Sequence, residues 1–168
     1  MAIPVPIRDF LRDRKIEFQV MTHPTAYTAQ EEAAVAHVPG REWAKTVVCF
    51  ADSEPILAVL PAHYSVDFER LRALAGATRL RLATEAEMVG LYPGCEAGAM
   101  PPLGPLYGQR VFIDTSLADA VEVVFNAGTH VDAVRMRYDA LVALSGALVA
   151  TFANPSRTRA AEPGKQQH

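Results

Sequence analysis

Lys45-Thr46-Val47-Val48-Cys49-Phe50-Ala51-Asp52-Ser53-Glu54-Pro55-Ile56-Leu57-Ala58-Val59-Leu60 is the stretch on which the fold turns. Residues 46–51 (TVVCFA) and 55–60 (PILAVL) are apolar runs of strand length, and Asp52-Ser53-Glu54 supplies turn residues between them. Two such runs read as a buried hairpin. Upstream, Ile7, Phe10 and Leu11 recur at helical spacing behind Pro6, a good first residue for a helix. Residues 18–21 read as a short strand, followed by the turn signal His23-Pro24. Thr28-Ala29-Gln30-Glu31 has the capping-box pattern, with helix over 31–38 and a stop at Pro39-Gly40.

Downstream, residues 67–75 place Phe68, Leu71 and Leu74 on one helical face and end at Gly76. Leu80 and Leu82 alternate with Arg79 and Arg81, the pattern of a half-buried strand. Thr84-Glu85-Ala86-Glu87 is a second capping box, for a helix to about Leu91. Residues 111–114, 121–125 and 134–137 read as strands, 138–144 as a short helix and 147–152 as a last strand. No internal repeat is present. Helices and strands interleave irregularly with hairpins, which predicts one α+β domain over residues 1–153: a mixed β-sheet with surrounding helices. The polar residues 154–168 are expected to be a disordered tail.

The bulk numbers agree with one domain. A chain of 168 residues buries roughly 70% of its unfolded surface, so stability requires neither disulfide nor metal. Cys49 and Cys95 form no CxxC and fit a reducing, cytoplasmic setting. Residues 1–10 contain Pro4 and Pro6 and lack a signal-peptide core, and no apolar stretch is long enough for a membrane span. A net charge of −3 argues against a wide duplex-binding face, so DNA is not an expected partner. Arg70, Arg72, Arg79 and Arg81 lie close together, as do Arg8, Arg12, Arg14 and Lys15. Solvated helix and strand faces explain most of them; a small patch for an RNA end is the functional alternative.

The candidate chemistry lies in Lys45 and the loop Gly98-Ala99-Met100-Pro101-Pro102-Leu103-Gly104. The loop has no ionisable side chain, so it acts mainly through its main chain. Pro101 and Pro102 stiffen it, and Gly98 and Gly104 admit conformations closed to other residues. A lysine at a strand end is ordinarily solvated; one facing such a loop would grip an anionic group. Residues 90–108 form a long glycine- and proline-rich connection, and such loops are often functional. There is no GxxxxGK[ST], GxSxG or GxGxxG. His23, His37, His63, His130 and His168 show no metal-binding spacing, so neither metal nor cofactor is expected. Cys49, inside TVVCF, reads as a buried structural thiol, and Cys95 sits in the loop with no base placed beside it. His130 sits between two strands, where it is either a turn residue or one that orients a substrate hydroxyl or a water. Asp114 reads as a cap for the turn before Ser116.

The order and spacing of Lys45-Thr46-Val47-Val48, the GxxxP loop Gly98-Ala99-Met100-Pro101-Pro102 and Phe125-Asn126-Ala127-Gly128-Thr129-His130 resemble the YbaK/ProX family. That family is related to the editing domain inserted in bacterial prolyl-tRNA synthetase. The leading helix, the His23-Pro24 turn and the helix opening at Thr28 agree, so the resemblance covers about residues 7–152. It implies an aminoacyl-tRNA deacylase, here of the free-standing, trans-acting kind, acting on the aminoacylated tRNA 3′ end. By position, Lys45 would bind the terminal adenosine's phosphate or otherwise aid catalysis. Gly98, Ala99, Met100, Pro101 and Pro102, with Gly104 after them, would hold the aminoacyl group, and His130 resembles a pocket histidine of some members. Tyr27 and Thr28 join the expected substrate-binding set, and Met21 and Leu103 are further pocket candidates.

An aminoacyl ester is already activated, so placing a water and stabilising an oxyanion would suffice without a covalent nucleophile. Two other readings stand beside this one. One is a non-catalytic module binding an aminoacyl adenosine or nucleotide; the other is a cysteine hydrolase using Cys95 or Cys49 with His130. A monomer is compatible with the sequence.

Overall fold

The structure is a computed structural model that describes residues 3–156. The expected hairpin is its centre. Strands β2 (Ala44–Ala51) and β3 (Glu54–Pro61) pair antiparallel from Ala44↔Pro61 to Ala51↔Glu54, around the two-residue turn Asp52-Ser53. Asp52 takes a left-handed φ of 57°, and its carboxylate accepts from the Thr78 and Arg79 N–H groups. The turn thereby ties down β5 (Leu80–Leu82), which pairs with the last three residues of β2. On the other side β3 runs parallel to β6 (Arg110–Asp114), and β6 parallel to β9 (Leu148–Ala150). The result is a mixed five-stranded sheet in the order β5-β2-β3-β6-β9.

Ile56, Leu57, Ala58, Val59 and Leu60 of β3 are all fully buried, because both faces of this sheet are covered. Successive side chains point to opposite faces. Val48, Leu57, Val59, Val111 and Ile113 pack in one core with Ile7, Phe10 and Leu11 of α1 (Val5–Asp13). Cys49, Ile56, Ala58, Leu60 and Phe112 pack in another with Leu71 of α3 (Phe68–Ala75). Each fully buried Leu, Ile or Val adds ~1.5–3 kcal/mol. α3 has Asp67 as N-cap and a left-handed Gly76 as its stop, as its sequence predicts.

A second, antiparallel sheet has the order β1-β8-β7, from β1 (Gln19–Thr22), β7 (Glu122–Asn126) and β8 (Asp132–Arg137). It meets the first sheet at Trp43, which bridges to Val124 and is buried with Ala33 of α2 (Ala29–Val35). This junction brings the end of β7 and helix α2 to the start of β2, and so creates the site.

Several details differ from the sequence reading. Thr28 caps α2 by accepting from the Glu31 N–H, and α2 stops at Val35, two residues before His37 turns left-handed. The full reciprocal capping box occurs at Thr84 and Glu87, opening α4 (Glu85–Leu91). Leu82 is 53% exposed, because β5 is a short edge strand. The long loop contains one helical turn, α5 (Gly104–Tyr107). After α6 (Tyr138–Ser145), the expected strand over 147–152 stops at Ala150, and β10 (Ala153–Pro155) then pairs with β4 (Tyr64–Val66). The folded unit therefore passes residue 153: Asn154 and Pro155 are in a strand, and the Ser156 N–H donates to the His63 carbonyl. The rest of the expected tail lies outside the described residues. Asp114 is buried and accepts from the Ser116, Phe152 and Ala153 N–H groups, a structural role that includes the expected cap.

Candidate active site

At the junction of the sheets is a hollow of about 120 Å³, lined by Tyr27, Ala29, Glu32, Trp43, Ala44, Lys45, Thr46, Gly98, Met100 and Asn126. Lys45, the second residue of β2, is among them and is half-buried. Among the described residues no carboxylate lies within ion-pair distance of it. Burial without a counter-charge lowers its pKa. The side chain is therefore a partly buried amine that no carboxylate pairs with among the described residues.

The loop wall is held by its own main chain and by His130. The Ala99 N–H donates to the Glu96 carbonyl (3.0 Å), the Gly128 N–H to Ala99 (2.8 Å) and the Glu96 N–H to Gly128 (2.8 Å). Gly98 has φ +85°, a conformation that L side chains rarely adopt, and lies against the His130 ring. Gly98 and Met100 both line the hollow, and their N–H groups donate to no described group.

His130 does not present a free nitrogen. Its Nε2 stands 2.8 Å from the Ala97 carbonyl and its Nδ1 2.9 Å from Glu32 Oε2, while its main-chain N–H donates to Glu96 Oε1 (2.8 Å). A carbonyl only accepts, so Nε2 carries a hydrogen. The Nδ1–Glu32 contact then holds one further proton, on the ring or on the carboxyl. Burial raises the pKa of Glu32 against the opposing bonds from His130 and Asn126. For His130 burial acts downward, but the Glu32 hydrogen bond and the Ala97 carbonyl outweigh it and the net shift is upward. Asn126 Nδ2 completes the cluster by donating to Glu32 Oε1 at 2.8 Å. The ring thus couples helix α2 to the loop.

Of the residues expected from sequence, Lys45, Gly98, Met100 and Tyr27 line the hollow and His130 braces it. Ala99, Pro101, Pro102 and Gly104 do not line it. All four are buried, and a Cβ on Gly104 would overlap the Gln109 carbonyl and the Val111 side chain. Thr28 serves as a helix cap, Leu103 is core, and Met21 packs with the Trp43 cluster. Glu32, Trp43, Thr46 and Asn126 escaped the sequence reading. Only Thr46 and Asn126 carried a signal, as parts of the quoted motifs.

The cysteines are elsewhere. Cys49 is fully buried, its thiol pushed up to about 12 by burial. Cys95 lines a separate hollow with Pro4, Pro6, Ile7, Pro93, Leu106 and Tyr107, and burial also raises its pKa. Neither thiol has the electropositive setting that makes a nucleophile. Among the described residues no group of three or more His, Cys, Asp or Glu could hold a metal, and no helix is long and apolar enough to cross a membrane.

Residues 23–144, which include every residue lining the hollow, match the profile of the aminoacyl-tRNA editing domain. The chain belongs to that family. This editing domain is 37% identical over 123 residues to a proline–tRNA ligase of Nitratidesulfovibrio vulgaris, covering 71% of the chain and 21% of the ligase. It is 34% identical over 113 residues to a proline–tRNA ligase of Anaeromyxobacter sp. (strain K), covering 66% and 19% respectively. The chain thus spans about a fifth of the length of these ligases. The crystal structure of a proposed trans-editing enzyme for prolyl-tRNA synthetase superposes with a TM-score of 0.79 at 25% identity, covering 91% of this chain and 99% of that one.

Proposed function

We propose that this editing domain hydrolyses the ester of mischarged aminoacyl-tRNA, acting in trans as a free-standing cytoplasmic protein. The observation that carries the reading is the hollow itself, whose lining includes a half-buried Lys45 with no paired carboxylate together with Gly98 and Met100, two residues whose N–H groups are unengaged. A ligand with a phosphate and an ester carbonyl satisfies both demands. Lys45 pairs with the phosphate of the terminal adenosine as a point charge. The Gly98 and Met100 N–H groups face the carbonyl oxygen as it becomes an oxyanion, with little reorganisation because the loop is braced. A water attacks the carbonyl carbon, the tetrahedral intermediate collapses, and the ribose oxygen leaves with a proton to give free amino acid and tRNA.

Tyr27, 72% exposed at the mouth with its ring 5.1 Å from that of His130, offers a stacking face for the terminal base. Ala99, Pro101, Pro102 and Gly104 stiffen the loop, and His130 holds it through Ala97. A hollow of about 120 Å³ favours small aminoacyl groups such as alanyl, seryl, threonyl or cysteinyl. Reading only the 3′ end requires few phosphate contacts, consistent with the net charge of −3, and uncharged tRNA is expected to bind weakly and salt-sensitively.

The test is hydrolysis of tRNAs carrying alanine, serine, threonine or cysteine by the wild type and by Lys45→Ala. Selective deacylation lost in the variant is expected. No turnover of any ester, with measurable binding of an aminoacyl-adenosine analogue, would overturn the enzyme in favour of a binding module.

A further inference from the structure

Among the described residues, four buried side-chain polar atoms lack a hydrogen-bond partner: His23 Nε2, Thr46 Oγ1, Asn126 Oδ1 and Asp132 Oδ1. Such orphans are rare because each forfeits its solvation without compensation, and where they persist they mark strain or function. Two of the four, Thr46 Oγ1 and Asn126 Oδ1, belong to residues lining the hollow. The orientation of the Asn126 amide follows from its neighbour. Nδ2 donates to Glu32 Oε1 at 2.8 Å, which leaves Oδ1 as the unused acceptor on a residue only 7% exposed. Lys45 makes no hydrogen bond to either oxygen.

The lining therefore carries two kinds of unmet demand. Lys45 and the Gly98 and Met100 N–H groups are donors without acceptors; Asn126 Oδ1 is an acceptor without a donor, and the Thr46 hydroxyl, free to turn its hydrogen away, offers a second unused acceptor, with the Glu32 carboxyl behind Asn126. An α-aminoacyl ester presents the complementary pair on adjacent carbons: a carbonyl oxygen that accepts and an ammonium that can only donate. Resting on the deacylase reading above, we propose that Asn126 Oδ1 and Thr46 Oγ1 receive the free α-ammonium of the aminoacyl group and so make an unblocked amino terminus a condition of turnover. Both oxygens are closed to solvent, so the two side chains turn toward the ligand on binding, a rotamer change of the kind common at interfaces. An N-blocked ester, peptidyl-tRNA included, brings one amide hydrogen and added bulk in place of the ammonium and is rejected.

The experiment takes the ester turned over fastest in the panel above and its deamino counterpart, propionyl-tRNA where the best substrate is alanyl-tRNA. The ratio of their kcat/KM values is measured for the wild type, Asn126→Ala and Thr46→Val. The ratio cancels any unfolded fraction, and comparing it between wild type and variant cancels the intrinsic reactivity difference of the two esters. In each variant the preference for the ammonium-bearing ester is expected to fall roughly tenfold or more, the scale of a hydrogen bond to a charged group. Thr46→Val replaces an unpartnered hydroxyl with a methyl of the same shape, so it keeps or raises the melting temperature and carries the test even if Asn126→Ala fails to fold. Equal losses on both esters, with the ratio unchanged, would overturn the assignment and leave both residues structural. No turnover of either ester by the wild type would instead overturn the deacylase reading, and this assignment with it.

Discussion

Glu32 gives the sharpest test of how the site is held together. It is 2% exposed and accepts from Asn126 Nδ2 at 2.8 Å and pairs with His130 Nδ1 at 2.9 Å. Glu32→Ala strands both groups in the interior, and removing one partner of a buried ion pair costs ~3–5 kcal/mol. Glu32→Gln is different. Its amide oxygen accepts from Asn126, and its amide nitrogen donates to a neutral His130 Nδ1 while Nε2–H still donates to Ala97. All three bonds survive, so the loss should stay under ~1.5 kcal/mol. The two substitutions also separate by pH. The pKa of Glu32 is raised above 4.5 and that of His130 above 6.5, so the folded pair binds more protons than the unfolded chain. Its contribution to stability is present below the unfolded values and is lost as pH rises through the folded ones, with a slope of at most ~1.4 kcal/mol per pH unit per proton. In Glu32→Gln the ring is buried neutral, and the slope near the histidine value vanishes or reverses. Urea unfolding from about pH 6 to pH 9, as wild type minus variant, reads both effects and cancels the other histidines. A loss under ~1 kcal/mol in Glu32→Ala, or parallel pH slopes for wild type and Glu32→Gln, would refute the reasoning.

Lys45→Met should uncouple stability from activity. The buried ammonium has a lowered pKa and is penalised when charged, so the variant melts at or above the wild-type temperature. Loss of a charge-assisted bond to phosphate raises KM for the charged tRNA by ~10–100-fold, measured by steady-state deacylation. Tyr27→Ala removes an exposed ring, so unfolding free energy stays within ~0.5 kcal/mol, while loss of base stacking, ~1–3 kcal/mol, raises KM. Gly104→Ala overlaps the Gln109 carbonyl and the Val111 side chain, and urea unfolding should show an overpacking loss of ~1–3 kcal/mol.

The sequence by itself determined the elements whose signals are local. Two continuous apolar runs of strand length and the turn residues between them define the β2–β3 hairpin, and Asp67, Gly76 and Thr84 bound their helices through bonds within a few residues. The same local motifs, with Lys45 at the head of β2 and Gly98 in the loop, were enough to indicate the family. Tertiary structure decided what depends on distant partners. β4 and β10 are three-residue strands of unremarkable composition that exist because Ser65 meets Asn154. Glu32 carries no signal in the sequence and gains its role only when the fold sets it beside Asn126 and His130, 94 and 98 positions away. His130 reads as a turn residue, or as one that orients a substrate hydroxyl or a water, until both ring nitrogens prove to be engaged within the protein. The 98–104 loop reads as one ligand-facing segment, yet only Gly98 and Met100 line the hollow and the prolines turn into the interior. Periodicity and capping act over one turn or one pleat, whereas hydrogen bonds between residues a hundred apart depend on sheet register and on how two sheets meet at Trp43.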